Sequence, residues 1–435
     1  MFIKFPEIQD LIVEGLDNIR LPKMVRIEQK YDSSYIEDIP VHILRQMREC
    51  DRRNDFDYKD KSICITAGSR GIPHIDIIIK TICDELKARG ARPFIVPAMG
   101  SHGGATAEGQ AEVLKKYHIT EETVGAPVRS SMEVVQYGTM SNGIPLYCDK
   151  LAMESDGVIL LHKVKPHTDF RSEHESGLLK MILIGLANHI GPSMIHTCGF
   201  GSFGQMLLEA GETFLNTVPV PFAVGIVQNA YDNISRIEIV PSDEIIQTDK
   251  ELLAEAKKQI AHFKFDSVNV MVIDEIGKEI SGYGFDPNVI GRSNSIRYGV
   301  TNPIEIERMV ILGLTEGSCH NGSGIVAADV TTRECLNQVD WTDTWINLIT
   351  STEIQGTKIP MYSNSDREAI MMAIRCCRNP EPDKIRIARI KNTLCMEEIM
   401  VSEALYESIK GRDDVIKKSD PFSLEFDADG KLING

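Results

Sequence analysis

The chain has 435 residues, of which 42% are hydrophobic and 25% are charged, so it can bury full-sized cores as an ordinary globular protein does. Its formal net charge of −16 repels phosphate groups. Nucleic acid and anionic membranes are therefore excluded as default partners.

The N-terminal stretch lacks the apolar core and the cleavage site of a signal peptide, and no apolar run approaches the ~20 residues of a membrane helix. The ten cysteines show neither zinc-binding nor disulfide spacing, which indicates a reducing compartment. We expect a cytoplasmic protein.

The first part of the chain alternates short apolar runs with amphipathic helical patterns, as α/β domains do. The predicted elements are a strand at 62–66, a helix from Pro73 to Gly90, a strand at 93–97, a helix over 106–117, a strand at 157–161, a helix over 176–188, strands at 221–227 and 237–240, and a helix over 249–264. Strands joined in this way are parallel, and the loops at their carboxyl ends face the ligand.

A second α/β unit follows, with strands at 268–273, 308–312 and 385–390 and helices near 332–336, 343–350, 367–375 and 396–409. We predict an α/β fold of two lobes with largely parallel sheets and an interlobe cleft. The predicted domains are 1–265, which holds the cofactor and the catalytic groups, and 266–395, which closes over the substrate. Residues 396–435 form a helix and a tail expected to pack back on the first domain.

The loops after the first two strands carry polar groups toward the ligand edge. Ser69 and Arg70 follow the first strand, where the guanidinium either binds a carboxylate or phosphate or pairs with a nearby acidic side chain. Ser101 and His102 lie in a glycine-rich turn before a helix that Thr106 could cap. That pattern favours an anion site with His102 as general acid or base, although a structural histidine remains possible.

The third loop packs five basic or imidazole side chains into residues 162–171 of an acidic protein, which indicates an anionic ligand. Behind it, Lys180 has apolar neighbours, so it is either a lysine reaching for the surface or a nucleophile, covalent anchor or ion-pair partner. His196, sixteen residues on, is either a lone metal ligand or a buried core histidine.

Four motifs together resemble the lactate racemase superfamily, whose members use the nickel-pincer nucleotide cofactor. They are Gly68–Gly71, Met99–Thr106, Lys165–Arg171 and Glu175–Met181, and they occur in the family's order within about residues 60–200. The resemblance implies an isomerase that racemises or epimerises a 2-hydroxy acid, partnered in the cell by cofactor-making enzymes.

The resemblance also implies roles for individual residues. Lys180 matches the lysine that binds the cofactor covalently through a thioamide, and His196 matches the nickel ligand. His102 and His167 match the two histidines that exchange the substrate's hydroxyl proton, while Arg70 matches the arginine that orients the substrate. The segment before Lys180 is longer than in the family and contains His174, which is an alternative to His167.

Three further residues are assigned to ligand binding: Ser69 and Ser101 to the cofactor, and Lys278, after the first strand of the second lobe, to the closed site. A solvated lysine is the alternative at Lys278.

In the implied mechanism, hydride moves from C2 of the acid to the cofactor and returns to the opposite face. The superfamily acts on lactate, malate, aromatic hydroxy acids and sugar acids. Polar loops at 320–324 and 329–332 favour an aldonic acid such as gluconate.

Two other functions remain open from the residues. One is a hydrolase or dehydrogenase whose simple metal ion is held by His102, His167 and His196. The other is a non-catalytic protein that binds a hydroxy acid or a nucleotide. A covalent adduct on Lys180 would distinguish the racemase hypothesis from both of these alternatives.

Overall fold

A computed structural model of the chain describes residues 1–9, 13–69, 71–293, 299–350, 354–378 and 381–433. The chain divides into two units: unit 1 comprises residues 1–31 and 261–435, and unit 2 comprises residues 32–260. Among the described residues, each helix is too short or too polar to span a lipid bilayer.

The strands of the described residues are β1 (Met24–Gln29), β2 (Ser62–Ala67), β3 (Arg92–Pro97), β4 (Val134–Thr139), β5 (Pro145–Asp149), β6 (Gly157–Lys163), β7 (Ala223–Gln228), β8 (Ile234–Val240), β9 (Ser267–Ile273), β10 (Glu305–Ile311), β11 (Val330–Thr332), β12 (Met361–Ser363), β13 (Ile387–Ile390), β14 (Glu398–Ser402) and β15 (Val415–Lys417).

The α-helices are α1 (Ile39–Asp51), α2 (Ile75–Ala88), α3 (Ala107–Lys116), α4 (Glu121–Val124), α5 (Lys150–Met153), α6 (Leu178–Lys180), α7 (Ile190–His196), α8 (Phe203–Thr217), α9 (Ile245–Gln259), α10 (Pro287–Ile290), α11 (Arg333–Gln338), α12 (Trp341–Thr350), α13 (Asp366–Arg375) and α14 (Glu403–Ile409). A π-helix (Met181–Gly185) follows α6 directly.

Unit 2 is built on a five-stranded sheet in the order β3-β2-β6-β7-β8. The first four strands are parallel and β8 is antiparallel to β7. The predicted strands at 62–66, 93–97 and 157–161 are confirmed as β2, β3 and β6. Since β3 lies on one side of β2 and β6 on the other, the chain changes direction at the β2–β6 pair, where open α/β sheets bind ligands.

The core of unit 2 explains why these segments form strands and helices. Apolar residues of α2 recur at Ile75, Ile78, Ile79, Ile82 and Leu86, which places them on one buried face. They pack with the helix α1 and with one face of the sheet in a single hydrophobic cluster. Helix α9 covers residues of the opposite face.

Unit 1 contains an eight-stranded sheet in the order β12-β11-β10-β9-β13-β14-β1-β15. Its first five strands are parallel, and the last three continue antiparallel. The predicted α/β class with largely parallel sheets is therefore confirmed for both units.

The division of the chain differs from the predicted domains 1–265, 266–395 and 396–435. Residues 1–31 and the tail both belong to unit 1, because β1 pairs with β14 and with β15 in one sheet. The predicted helix over 396–409 is wrong in its first half. Residues 398–402 form the buried strand β14 between β13 and β1, where an apolar, β-branched segment is favoured over a helix.

Candidate active site

Three loops meet at the carboxyl edge of the sheet in unit 2. The backbone N–H of Ala98, after β3, donates to the carbonyl of Ala67, at the end of β2, over 2.8 Å. A Cβ built on Gly68 would lie 3.3 Å from Nδ1 of His162 at the end of β6 and 3.6 Å from Cε of Met181. The loop after β2 therefore lies against the start of the loop after β3, the end of β6 and the π-helix that follows Lys180.

The loop after β2 holds two of the predicted site residues. Ser69 is partly buried, and its carbonyl accepts a hydrogen bond of 3.0 Å from the hydroxyl of Tyr117. Arg70 lies outside the described residues, so its predicted role in orienting the substrate stays a prediction.

The loop after β3, residues 98–105, is named here the His102 loop. Its shape depends on positive φ angles at Gly100, Gly103, Gly104 and Ala105, between 55° and 67°. Such angles suit glycine, which has no Cβ to clash. His102 itself has extended backbone and is exposed.

Helix α3 holds the His102 loop from behind. The side-chain amide of the buried Gln110 donates to the carbonyl of Gly100 over 2.8 Å. Thr106 accepts a hydrogen bond of 3.0 Å from the N–H of Gly109, which confirms it as the predicted helix cap. Ser101, predicted to bind the cofactor, is exposed beside His102.

The loop after β6, residues 165–176, is named here the His167 loop. Lys165 and Ser176 close its base with two backbone hydrogen bonds of 2.8 and 3.3 Å. The partly buried ring of His167 packs on the Phe170 ring, with 4.5 Å between the ring centroids. Its Nδ1 accepts a hydrogen bond of 3.0 Å from the N–H of Asp169, so a neutral ring carries its proton on Nε2.

A buried glutamate organises the inside of the His167 loop. The Glu175 carboxylate accepts hydrogen bonds from the backbone N–H of His167 over 2.7 Å and from that of Ser172 over 3.2 Å. The ammonium of Lys257, on α9, lies 2.6 Å from the same carboxylate. Arg171 lies 3.6 Å from it. Two charge-assisted hydrogen bonds and two ion pairs thus hold the backbone of the loop.

His174, the alternative to His167, has different surroundings. Its side chain is 6% exposed, and its Nδ1 lies 2.9 Å from Oδ2 of Asp249, which is buried as well. The imidazole of His174 is therefore bound to a carboxylate of α9, whereas the ring of His167 lies among aromatic rings.

Lys180 and His196 stand at the two ends of an irregular segment. The predicted helix over 176–188 is instead the short α6 followed by the π-helix, a form that is frequent at functional sites. Lys180 is half-buried at their junction. The backbone of His196 ends α7, and its side chain lies outside the part that the structure describes.

A buried asparagine joins the π-helix to α7. Asn188 has a positive φ of 48°, a conformation that asparagine tolerates better than most residues. Its Nδ2 donates to Oδ2 of Asp149 over 2.9 Å and to the carbonyl of Ser131 over 3.2 Å. Burial raises the pKa of Asp149, although the hydrogen bonds from Asn188, Ala152 and Leu151 act in the opposite direction.

Lys278 belongs to unit 1, where it follows β9 at the carboxyl edge of the parallel strands. Nearby, the buried guanidinium of Arg389 forms a two-point ion pair of 2.8 and 3.0 Å with Asp274. Burial raises the pKa of Asp274, and Arg389 opposes that shift. The role of Lys278 toward a ligand stays a prediction.

The sequence analysis gave no role to four residues that shape this site, although Glu175 begins one of its motifs: Glu175, Asp249, Lys257 and Asn188. The sequence offered one signal, because Asp249 and Lys257 are eight residues apart and so share a face of a helix. Nothing in the sequence connected that face to a loop more than 70 residues away.

The sequence was compared with models of known protein families. Residues 28–198 match the family model described as the lactate racemase N-terminal domain. Over this segment the chain is therefore similar to the lactate racemase family. The predicted resemblance to the lactate racemase superfamily is confirmed, and the matched segment contains every predicted site residue except Lys278.

Solved structures resemble the chain in fold. The lactate racemase apoprotein from Thermoanaerobacterium thermosaccharolyticum superposes with a TM-score of 0.53 and 13% identity, over 85% of this chain and 99% of that chain. A protein from Thermotoga maritima gives a TM-score of 0.49 and 14% identity, over 80% of this chain and 94% of that chain. No curated protein matches the sequence.

The hypothesis of a simple metal ion concerns His102, His167 and His196. Within the described residues, no three His, Cys, Asp or Glu side chains are grouped as a metal site. Because the side chain of His196 is outside that description, the predicted set itself stays a hypothesis.

Proposed function

We propose that this protein is a racemase or epimerase that inverts C2 of a 2-hydroxy acid. The observation that carries the proposal is the position of the loop after β2, which lies against Ala98 after β3, His162 at the end of β6 and Met181 next to Lys180. All of these residues lie in the segment that matches the lactate racemase N-terminal domain. His102 follows β3 and His167 follows β6, the two strands that flank β2. This placement suits a reaction that exchanges a proton on two sides.

The residues present fit a nickel-pincer nucleotide. Lys180 offers a half-buried amine, flanked by the buried Leu179 and Met181, for a thioamide bond. Gly68 leaves room beside Met181 and His162 that a side chain would fill. One imidazole, from His196, suits square-planar nickel. Ser69 and Ser101 would bind the nucleotide through their hydroxyls.

When bound, the cofactor would supply a reversible hydride acceptor for C2 of the substrate. The chain's own residues then have two tasks. Arg70 binds the substrate carboxylate and holds the acid in one orientation. His102 and His167 remove and restore the hydroxyl proton.

The structure suggests how His167 would alternate between two protonation states. With Nδ1 accepting from the Asp169 amide, the neutral ring presents Nε2–H. In the charged ring, Nδ1 would carry a proton and would lose the hydrogen bond from the Asp169 N–H, and the Asp169 carboxylate lies 3.8 Å from that nitrogen. Asp169 would then stabilise the imidazolium form.

The experiment is a stereochemical assay. Protein produced with the cofactor-making enzymes is incubated with single enantiomers or epimers of lactate, malate, an aromatic 2-hydroxy acid and gluconate, and the products are separated on a chiral column. We expect inversion at C2 of at least one acid, with gluconate first, and none by Lys180→Ala. Protein that carries the Lys180 adduct and inverts no acid would overturn the proposal.

A further inference from the structure

Helix α9 presents a buried aspartate to the base of the His167 loop. The side chain of Asp249 is 2% exposed. Its Oδ2 lies 2.9 Å from Nδ1 of His174, and its Oδ1 accepts a hydrogen bond of 2.5 Å from the backbone N–H of Leu178. Leu178 is the first residue of α6, the turn that carries Lys180. One carboxylate therefore binds both the loop and the start of that turn.

Gly177 lets this carboxylate reach the backbone. A Cβ built on Gly177 would lie 2.1 Å from Oδ1 of Asp249, a distance at which one of the two must move. The orphan N–H groups at a helix start need acceptors, and in α6 a buried charged oxygen fills that role at Leu178. The position of α6 is thereby tied to α9.

The same face of α9 also reaches His167. Lys257 lies eight residues after Asp249, about 12 Å along the helix axis. It pairs with Glu175, whose carboxylate accepts the backbone N–H of His167. Because one rigid helix contacts both places, it sets where the Lys180 turn lies relative to the His167 backbone.

We propose that Asp249 is the positioning residue for Lys180, and that His174 is its partner in this task rather than an acid or base. The inference rests on the proposed function, in which Lys180 binds the cofactor. With Asp249 in place, the α6 turn keeps the amine at one position on the sheet edge. Without it, α6 loses its acceptor and His174 loses its buried partner.

The test compares variants of the whole protein, first without cofactor. Asp249→Leu removes the acceptor, Asp249→Asn retains one oxygen for the Leu178 N–H, and Glu251→Gln changes an exposed carboxylate of α9 as a matched control. We expect hydrogen exchange at the Leu178 amide to be at least about tenfold faster in Asp249→Leu, with exchange in β6 and β7 unchanged. Asp249→Asn and Glu251→Gln should stay near wild type.

The second readout is the fraction of Lys180 that carries the adduct, measured by peptide mass after production with the cofactor-making enzymes. We expect Asp249→Leu to lower it at least about tenfold and Asp249→Asn to restore it. If Asp249→Leu does not fold, Gly177→Ala displaces the same carboxylate and should give the same two results.

Two outcomes separate this inference from the proposed function. The inference would be overturned if Asp249→Leu showed wild-type exchange at Leu178 and wild-type modification of Lys180. The same two results in Gly177→Ala would also overturn it. A wild-type protein that is never modified at Lys180 would contradict the proposed function instead, and the exchange measurement on cofactor-free protein would then decide the inference alone.

Discussion

The two histidine-bearing loops of unit 2 obtain their shape by different means. In the His102 loop, four residues with positive φ set the path of the backbone, and its histidine is exposed. In the His167 loop, buried charges set the path: Glu175 binds two backbone amides, and α9 supplies Lys257 and Asp249. Both loops end at the same edge of one sheet.

This difference determines which substitutions each loop tolerates. A glycine-shaped turn depends on the absence of Cβ atoms, so it is sensitive to any side chain at a few positions. A loop held by buried carboxylates depends on every partner being present, since an unmatched buried charge is costly. The following predictions address that contrast, beginning with the largest effect.

Replacing His102 or His167 should lower turnover to a similar extent, but the two replacements should change the free energy of unfolding by different amounts. His102→Ala and His167→Ala should each lower turnover by about 10²- to 10⁴-fold, the usual contribution of a general acid or base. His102 is exposed, so its variant should unfold within about 0.5 kcal/mol of wild type. His167 packs on Phe170, so its variant should lose about 1–3 kcal/mol.

Steady-state turnover and urea unfolding measure the two effects, with His174→Ala as the comparison. His174→Ala should lower turnover far less. A severe loss from His174→Ala with a mild one from His167→Ala would reverse the assignment of these two histidines.

Glu175→Ala should be the most damaging change to the framework of the His167 loop. Two backbone amides lose their acceptor, and Lys257 and Arg171 lose their ion-pair partner, so we expect the free energy of unfolding to fall by about 3 kcal/mol. Turnover should fall about 10²-fold because the backbone at His167 shifts. Glu175→Gln keeps one oxygen acceptor, so its stability and turnover should lie between those of Glu175→Ala and wild type. Equal stability of Glu175→Ala and wild type in urea would contradict this prediction.

Two neighbouring glycines test the His102 loop, since Gly103 and Gly104 have nearly the same φ, 66° and 67°. A Cβ on Gly103 would lie 2.6 Å from backbone atoms of Gly109 and Gln110, whereas one on Gly104 would contact no atom within 4 Å. Gly104→Ala should therefore cost about 1–2 kcal/mol of backbone strain alone. Gly103→Ala should cost more and also lower turnover; thermal unfolding that ranks the two the other way would contradict the steric account.

The smallest effect concerns pH and the Asp149–Asn188 contact. Burial places the pKa of Asp149 in the folded protein above its unfolded value, so the folded state binds the proton more tightly. Stability from this group is present at low pH and is lost as pH rises through the raised pKa. Asp149→Asn does not titrate, so its stability relative to wild type should improve from acidic to neutral pH. The measurement is the difference in the free energy of unfolding between Asp149→Asn and wild type at acidic and neutral pH. A difference that does not change with pH would contradict the prediction, because the carboxyl would then be ionised in both the folded and the unfolded protein.

The sequence was sufficient to predict the strands that build the site. Apolar runs such as 62–66 and 157–161 have a local cause, so β2 and β6 could be found from spacing alone. The motifs around His102, His167 and Lys180 were also local, and the structure places the His102 loop against the π-helix that follows Lys180. Their chemical roles stay predictions.

Features that depend on distant partners could not be predicted. Strand β14 is part of a run that also suits a helix, and only its pairing with β1, which precedes it by about 370 residues, selects the extended form. In the same way, the sequence around Asp249 predicts an exposed residue of an acidic-basic helix. Asp249 is buried only because the His167 loop packs against it. The π-helix after Lys180 has no periodic signal of its own.

The most direct measurement uses a 2-hydroxy acid deuterated at C2, with the cofactor-loaded protein in ordinary water. If His102 and His167 exchange only the hydroxyl proton while hydride leaves and returns at C2, the inverted product should retain its deuterium, as mass spectrometry of the separated stereoisomers would show. Inverted product that has exchanged its deuterium for solvent hydrogen would contradict this account, because a base would then have removed the C2 hydrogen as a proton.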